Sequence, residues 1–437
     1  MSPNPELRRN LWLEATPARL ALMPVILGGV FFLAYVADDR RLGPATAGTA
    51  LAFLALLTWL WGAHLASESV LAELRSRTWD WQRMSDLGAW TLGWGKLAGA
   101  TAYPWYGGII CLAVYGLAEP EPGTRQAAVG ALFVLGGVLA QAAAMFAALH
   151  VVSRDRVVSR GQSSAYLALG ALVLYPLSMA ASSARQVAWY GARIPTLDFT
   201  VATLAAFAAF AVVGVWVRVR RELRVRTLPV VWAAFVTFAA AWGAGFAEPE
   251  AGRPGGGWLV GFLVAVGLTW LTALADRKDP VALRRVTRAA RERRWRRLAE
   301  ELPPWLVALP FALAGWALLI ASPGRAPVIR DAGQLRWMAT AILLFLVRDL
   351  ALLLHLNLGA RPRRADLFAV VLLAAGYVLV PLVLSATELE PAAALFYPQP
   401  ERAAWSAAGA LAQLGVVGWL LARRWRARER VVAGEAG

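Results

Sequence analysis

Cysteine, lysine and histidine are almost absent from this chain. The 437 residues include one cysteine, Cys111, three histidines, and two lysines, Lys96 and Lys278, against 42 arginines. A single cysteine excludes an intramolecular disulfide and a cysteine metal cluster. The three histidines fall near the ends of apolar segments, where backbone carbonyls or lipid satisfy a histidine more often than zinc does. We therefore expect no metal site.

The chain also lacks any polar stretch long enough to form a soluble domain. Hydrophobic residues make up 59% of it and charged residues 16%, and the apolar residues come in blocks. A membrane-spanning helix needs roughly 20 predominantly apolar residues, and short connections leave no room for a folded domain outside the membrane. The sequence predicts an all-α polytopic membrane protein. Its twelve predicted transmembrane helices are 20–37, 47–66, 97–117, 127–152, 165–181, 199–217, 228–246, 258–275, 305–321, 337–358, 367–384 and 403–422.

A phosphate-binding loop is missing as well. No Gly-x-x-x-x-Gly-Lys-Ser/Thr pattern occurs, and Gly93-Trp-Gly95-Lys96 lacks the spacing to surround a phosphate. We expect the chain to carry no catalytic residues, no cofactor and no ATPase site of its own.

Positive charge is abundant and unevenly distributed. The formal net charge is +16, and 34 of the 44 basic residues fall in segments on one predicted side of the membrane. By the positive-inside rule this places both termini in the cytoplasm. The basicity thus indicates topology and contact with anionic membrane lipids rather than nucleic-acid binding. The preference for arginine over lysine is typical of a GC-rich bacterial genome, so we expect a multi-pass protein of the bacterial inner membrane.

The sequence contains traces of an internal repeat. The word Leu57-Thr58-Trp59-Leu60 returns 211 residues later as Leu268-Thr269-Trp270-Leu271, and further pairs follow in the same order at offsets between 205 and 212. Collinear self-similarity predicts a duplicated unit. We expect two parallel six-helix repeats, 1–217 and 218–437, around an axis along the membrane normal. The first repeat begins with a charged amphipathic helix within 6–19. Such a pair of bundles encloses a path that suits transport, although duplication can also serve packing symmetry alone.

The segment 67–96, between the second and third predicted spans, carries a sparse motif. It contains Glu73, Thr78, Asp80, Gly95 and Lys96. This pattern resembles the loop of ABC-2 type (type V exporter-like) ABC transporter permeases. In that family a Glu, a Gly-Thr pair, an acidic residue and a Pro precede a Gly-Lys pair at the third span. Here Arg77 replaces the glycine before the threonine, and Asp86 lies near the proline position.

The resemblance implies a membrane permease subunit, an exporter, driven by a separate cytoplasmic ABC ATPase dimer that binds ATP and Mg. The resemblance leaves open whether an additional membrane subunit takes part. Coupling to the ATPase would involve Glu73, Thr78, Asp80, Trp81, Gly95 and Lys96. Independently, Leu71, Leu74, Trp81 and Met84 approach helical spacing, which predicts an interfacial helix. Such a helix offers a docking element to a soluble partner, or it merely seals the bundle.

The corresponding segment of the second repeat, 276–304, is far more basic and lacks the motif. Arginine pairs surround Val286, Trp295 and Leu298, and the C-terminal tail is basic too. Two interpretations stay open, a second docking helix and a basic helix that faces lipid.

Arg348 and Asp349 lie inside the tenth predicted span, where an uncompensated charge is costly. Adjacent side chains on a helix point about 100° apart, so we expect each to find a partner on another helix. The pair is either a substrate-contacting or proton-coupling site or a structural clamp. It supports an alternative function, an ion-coupled secondary transporter that uses Asp349. A further alternative, a membrane-embedded lipid-processing enzyme, would need acidic or histidine clusters at a membrane face.

Overall fold

The described part of the chain is almost entirely helical. The computed structural model describes residues 4–119, 123–152, 186–247, 255–276, 278–321, 331–359, 365–387 and 389–434. Its only sheet within these ranges is a two-stranded one, formed by β1, Gln186–Trp189, and β2, Ala192–Pro195. The prediction of an all-α polytopic membrane protein is confirmed.

The first of two compact units comprises Met1–Val187 and Arg193–Thr227. A π-helical turn, Leu56–Trp61, joins α3 to α4 without a break, so that Pro44–Arg75 forms one long helix. The helices of this unit are α1 Pro5–Glu14, α2 Pro17–Ala37, α3 Pro44–Ala55, α4 Gly62–Arg75, α5 Trp79–Arg83, α6 Ala89–Ala100, α7 Ala102–Ala118, α8 Thr124–Val152 and α9 Thr196–Glu222.

The second unit comprises Ala188–Ala192 and Leu228–Gly437. A second π-helical turn, Ala375–Leu379, joins α16 to α17, and a 3-10 turn, Pro400–Arg402, precedes the last helix. Its helices are α10 Val230–Ala244, α11 Gly255–Ala275, α12 Pro280–Arg291, α13 Trp295–Glu301, α14 Pro304–Ala321, α15 Ala332–Asn357, α16 Ala365–Ala374, α17 Val380–Ala386, α18 Glu390–Ala393 and α19 Ala403–Gly434.

Twelve spans are not confirmed. Nine helical stretches in the described ranges are long and apolar enough to cross a membrane, or ten if α6 and α7, which meet at 55°, form one bent span. The seventh predicted span coincides with α10, which is apolar but only 15 residues long. The fifth, 165–181, lies outside the described residues.

Small side chains let the helices of each unit pack closely. In the first unit, Ala66 of α4, Met145 of α8 and Val215 of α9 belong to one buried cluster. In the second, Ala308 and Ala312 of α14 are fully buried within another, which includes side chains from α10, α11, α15 and α16. Alanine at a helix interface allows the close backbone approach on which packing within a membrane depends.

The threonine of the repeated word is buried and makes the same kind of hydrogen bond in both copies. Thr58 and Thr269 are both completely buried. Each hydroxyl donates to the carbonyl four residues earlier, Leu54 O and Ala265 O respectively, at 2.7 Å. The first copy lies within a π-helical turn and the second in the regular helix α11.

The connection between α2 and α3 is fixed by one carboxylate. Asp38, just after α2, accepts hydrogen bonds from the backbone N–H groups of Ala45 (3.1 Å) and Thr46 (2.7 Å) in the first turn of α3. The Thr46 backbone bond is the main reason that the pKa of Asp38 lies below its ordinary value, because these donors favour the charged carboxylate.

Candidate functional site

Helix α1 packs directly onto α6. Asn4 caps α1 by accepting from the Glu6 N–H at 3.0 Å, and its side-chain amide donates to Thr91 O at 2.8 Å. A Cβ atom added at Gly95 would lie 2.8 Å from Glu6 Cβ, and one added at Gly99 would lie 2.7 Å from Asn10 Cβ. Only glycine permits so close an approach of the two helices. Gly95 of the sequence motif therefore serves the contact with α1.

A buried cluster of charges lies where α1, α4 and α6 meet. Lys96 Nζ lies 3.0 Å from Glu6 Oε1 and 2.5 Å from Glu73 Oε1. Arg9 Nη2 also contacts Glu73 Oε1 at 3.0 Å, and Gln82 Nε2 donates to the same oxygen at 2.6 Å. We call Glu6, Arg9, Glu73, Gln82 and Lys96 the Lys96 cluster.

The Lys96 cluster is balanced in charge, and three of its charged members are buried while the Arg9 side chain is 49% exposed. Lys96 is 1% exposed, Glu6 4% and Glu73 8%. Two carboxylates face one ammonium and one guanidinium, so removing a single member would leave a buried charge without compensation. Since its members come from α1, α4, α6 and the α5 segment, the cluster fixes these elements relative to one another.

A tight turn follows α4, which ends at Arg75, two residues after Glu73. The Thr78 N–H donates to Glu73 O at 2.9 Å and the Arg77 N–H donates to Leu74 O at 3.2 Å, the pair of bonds that defines a Schellman motif. Arg77 has a φ of 56°, in the left-handed region that favours glycine. The predicted interfacial helix is therefore wrong as one continuous helix. Leu71 and Leu74 belong to α4, whose axis the turn interrupts before Trp81.

The short helix α5 has a buried side, with Trp79, and an exposed side, with Asp80 and Trp81. Trp79 is 3% exposed, with its ring 5.9 Å from Lys96 Nζ, and Arg83 Nε donates to Glu222 O at 3.0 Å. By contrast, Trp81 is 73% exposed, and the Asp80 side chain is 77% exposed beside Arg83 at 3.5 Å. The segment is anchored by Trp79 and Arg83, and it exposes an aromatic and an acidic side chain.

The six predicted coupling residues thus separate into two groups. Glu73, Gly95 and Lys96 meet at the buried cluster, and Thr78 shapes the turn beside it, with its hydroxyl 2.9 Å from that of Ser76. Asp80 and Trp81 lie at the surface. Sequence reasoning missed the three cluster members Glu6, Arg9 and Gln82. The available signal was lysine itself, because so scarce a residue next to a glycine at a span boundary indicates a special site.

In the second unit, Arg348 and Asp349 bind each other within α15. Arg348 Nε and Nη2 donate to Asp349 Oδ1 at 2.8 and 2.6 Å. Partners from other helices complete the pair: Tyr377 Oη donates to Asp349 Oδ2 at 2.9 Å, and Gln413 accepts from Arg348. Arg348 also lies over the rings of Phe345 and Tyr377, at 4.8 and 4.9 Å. The expectation of partners on other helices is correct, but the two adjacent side chains also neutralise each other.

The other lysine has a similar environment to Lys96. Lys278, 7% exposed, lies 2.7 Å from Asp366 Oδ1, which also accepts from Asn357 Nδ2 at 2.8 Å. These residues link the segment after α11 to the end of α15 and the start of α16. Both lysines of the chain are therefore buried members of ion pairs.

Comparison of the chain with models of known protein families, with curated proteins and with solved structures found no match. Among the described residues, no group of three or more His, Cys, Asp or Glu side chains is placed to hold a metal ion. What the chain itself provides is a multi-pass helical body with a charged cluster where α1, α4 and α6 of the first unit meet.

Proposed function

We propose that this chain is the membrane-spanning permease subunit of an ABC transporter, an exporter powered by a separate cytoplasmic ATPase. The observation that carries the proposal is the Lys96 cluster. It gives the sparse motif of segment 67–96 a structural reason, because Glu73 and Lys96 form an ion pair and Gly95 admits α1. In this proposal the ATPase dimer supplies the ATP and Mg, the chain has no ATPase site, and both termini lie in the cytoplasm of a bacterial cell.

The backbone at Arg77 supports the same resemblance. The family has glycine at this place in the motif, and here the residue has a φ of 56° in a Schellman turn. A non-glycine residue in this conformation costs about 1 kcal/mol. An arginine with a glycine-type backbone, at the place where the family has glycine, supports the same turn in this chain.

The geometry suits mechanical coupling. A partner that pushes on Trp81 would act on α5, and α5 is tied through Gln82 and Trp79 to the Lys96 cluster. The cluster transmits a displacement to the ends of α4 and α6, since a rigid, packed junction moves as a unit. Helix α4 belongs to a stretch long and apolar enough to cross the membrane, and α6 does so only together with α7, as one bent span.

The first experiment is a pull-down of the tagged full-length chain in mild detergent, with captured proteins identified by mass spectrometry. We compare the wild type with the double variant Asp80→Lys, Trp81→Ala. As a matched control, Trp405→Ala removes an exposed tryptophan, 66% accessible, from the second unit and outside segment 276–304. All three proteins should melt at the same temperature, because the altered side chains are exposed.

We expect the wild type and the control to retain a nucleotide-binding ATPase and the double variant to lose it. Capture of no ATPase by any of the three would contradict the permease proposal. Equal capture by all three would keep the permease but exclude α5 as the docking element.

An ion-coupled transporter is the second candidate, because Asp349 is a carboxylate 3% exposed within a spanning helix. Its bonds to Arg348 and Tyr377 satisfy it within the protein, and this favours a clamp over a proton carrier. Transport by the purified chain alone, driven by a proton gradient in vesicles and abolished by Asp349→Asn, would establish this candidate instead of the permease.

A further inference from the structure

Exposed arginines cover the outward-facing sides of α12 and α13 in the second unit. Helix α12 packs inward through Val286 and Ala289, both buried, and through Leu283, which contacts the core of the unit. Seven arginines of this segment are exposed: Arg285, Arg288, Arg291, Arg293, Arg294, Arg296 and Arg297. We call these seven the arginine surface.

The carboxylates on the same surface neutralise only part of this charge. Glu292 contacts Arg288 at 2.8 Å and Arg294 at 3.1 Å. Glu300 and Glu301 each contact one arginine four residues earlier, at 3.4 and 3.3 Å. Within the described ranges, no ion pair involves the remaining three, which are Arg285, Arg291 and Arg293. These three guanidinium groups are free to bind an external anion.

The end of α19 adds further positive charge beside α12. Arg284 Nη2 donates to Arg428 O at 3.0 Å. Residues 423–428 contain four arginines and no acidic residue, and Arg423 and Arg426 are exposed. Like charges held this close repel one another unless an anion screens them. Two separate segments therefore contribute to one positively charged region, in which the arginines outnumber the carboxylates that pair with them.

The position of this region along the chain, next to a candidate membrane span, indicates which anion it binds. Glu301 ends α13 only three residues before Pro304, where the membrane-spanning helix α14 begins. The arginine surface therefore lies close in sequence to the end of a candidate membrane span, where the headgroup region of a bilayer would begin. Trp295, 66% exposed, and Val281, 55% exposed, lie in the same segment. Tryptophan and arginine beside a span end are typical of the membrane interface, and the planar guanidinium matches the geometry of a phosphate.

We infer that the arginine surface binds the phosphate headgroups of anionic phospholipids and so holds the second unit to the bilayer surface. The inference does not depend on the permease proposal. An adjacent protein partner is the competing occupant, and the experiment distinguishes the two.

The test uses the full-length protein in nanodiscs of equal parts phosphatidylcholine and phosphatidylglycerol. After transfer to mild detergent, native mass spectrometry counts the lipids of each class that stay bound. The test variant is Arg285→Gln, Arg291→Gln, Arg293→Gln. The control, Arg40→Gln, Arg41→Gln, Arg193→Gln, removes the same charge from three exposed arginines outside this region.

We expect the test variant to lose bound phosphatidylglycerol at least about fivefold relative to phosphatidylcholine, and the control to behave as the wild type. An unchanged lipid ratio in the test variant would overturn the inference, and so would an equal loss in the control. Loss of a co-purifying protein at an unchanged lipid ratio would show instead that the surface docks a protein. Melting curves establish that both variants are folded.

Discussion

Replacement of Lys96 by methionine should strongly destabilise the first unit. Methionine keeps most of the length and volume of the lysine side chain and removes its charge. Glu6 and Glu73 would then stay buried with Arg9 as their only cationic partner, and the Arg9 side chain is 49% exposed. Breaking a buried ion pair by removing one partner costs about 3–5 kcal/mol. The Lys96 side chain is 1% exposed and contacts two carboxylates, so no discount for solvent screening applies.

In a unit of this size, 1 kcal/mol shifts the melting temperature by about 2–4 °C, so Lys96→Met should lower it by about 6–20 °C. The assay is thermal unfolding of the detergent-solubilised protein. Adding Glu73→Gln removes one of the two stranded carboxylates and should restore part of the loss. Hydrogen exchange in α1 should rise in the single variant, because the cluster joins that helix to α6. A melting temperature within about 1 °C of the wild type would refute the account of the cluster as a buried junction.

Three further predictions concern single positions. Gly95→Ala should cost about 1–3 kcal/mol because its Cβ atom collides with α1. Gly116→Ala should not lower stability measurably, because a Cβ atom at Gly116 meets no other atom within 4 Å. Equal melting temperatures of the Gly95→Ala and Gly116→Ala proteins would contradict the packing argument. Arg77→Gly should leave the free energy of unfolding unchanged or raise it by up to about 1 kcal/mol. Ala72→Gly, within α4, should lower it by about 1 kcal/mol. If Arg77→Gly proved the more destabilising of the two, a left-handed turn at Arg77 would be excluded. Asp38 has a lowered pKa, so its bonds to the two backbone amides of α3 should persist above its ordinary pKa of 3.8 and be lost only as the pH falls below that value. Hydrogen exchange of those amides measures this, and a loss of protection near neutral pH would contradict it.

Composition and apolar block length were sufficient to predict the helical membrane fold, because a bilayer dictates both helix length and apolar content. The number of membrane spans could not be predicted in the same way. The α6–α7 stretch is bent by 55° at Thr101, and hydropathy does not report a bend. Val230–Ala244 has the composition of a span without its length.

The candidate site was predictable only in part. Glu73 and Lys96 could be singled out from the motif, but their pairing with Glu6 depends on how α1 folds back over α6. That contact spans 90 positions in the sequence. The break in the predicted interfacial helix was hidden as well, because Arg77 occupies a backbone conformation for which arginine gives no signal. Residue patterns describe one element at a time, and both of these features arise between elements.

The burial of both lysines gives the folded chain an unusual chemical property. Lys96 is 1% exposed and Lys278 is 7% exposed, so a lysine-specific endoprotease has two cleavage sites in the whole chain, and both are shielded by packing. Arginine-directed cleavage would report the accessible surface, whereas lysine-directed cleavage reports only the opening of one of two ion pairs. Each fragment pattern would identify which junction had opened. Lysine-specific proteolysis therefore reports on one buried ion pair in each unit, without a label and without a substitution.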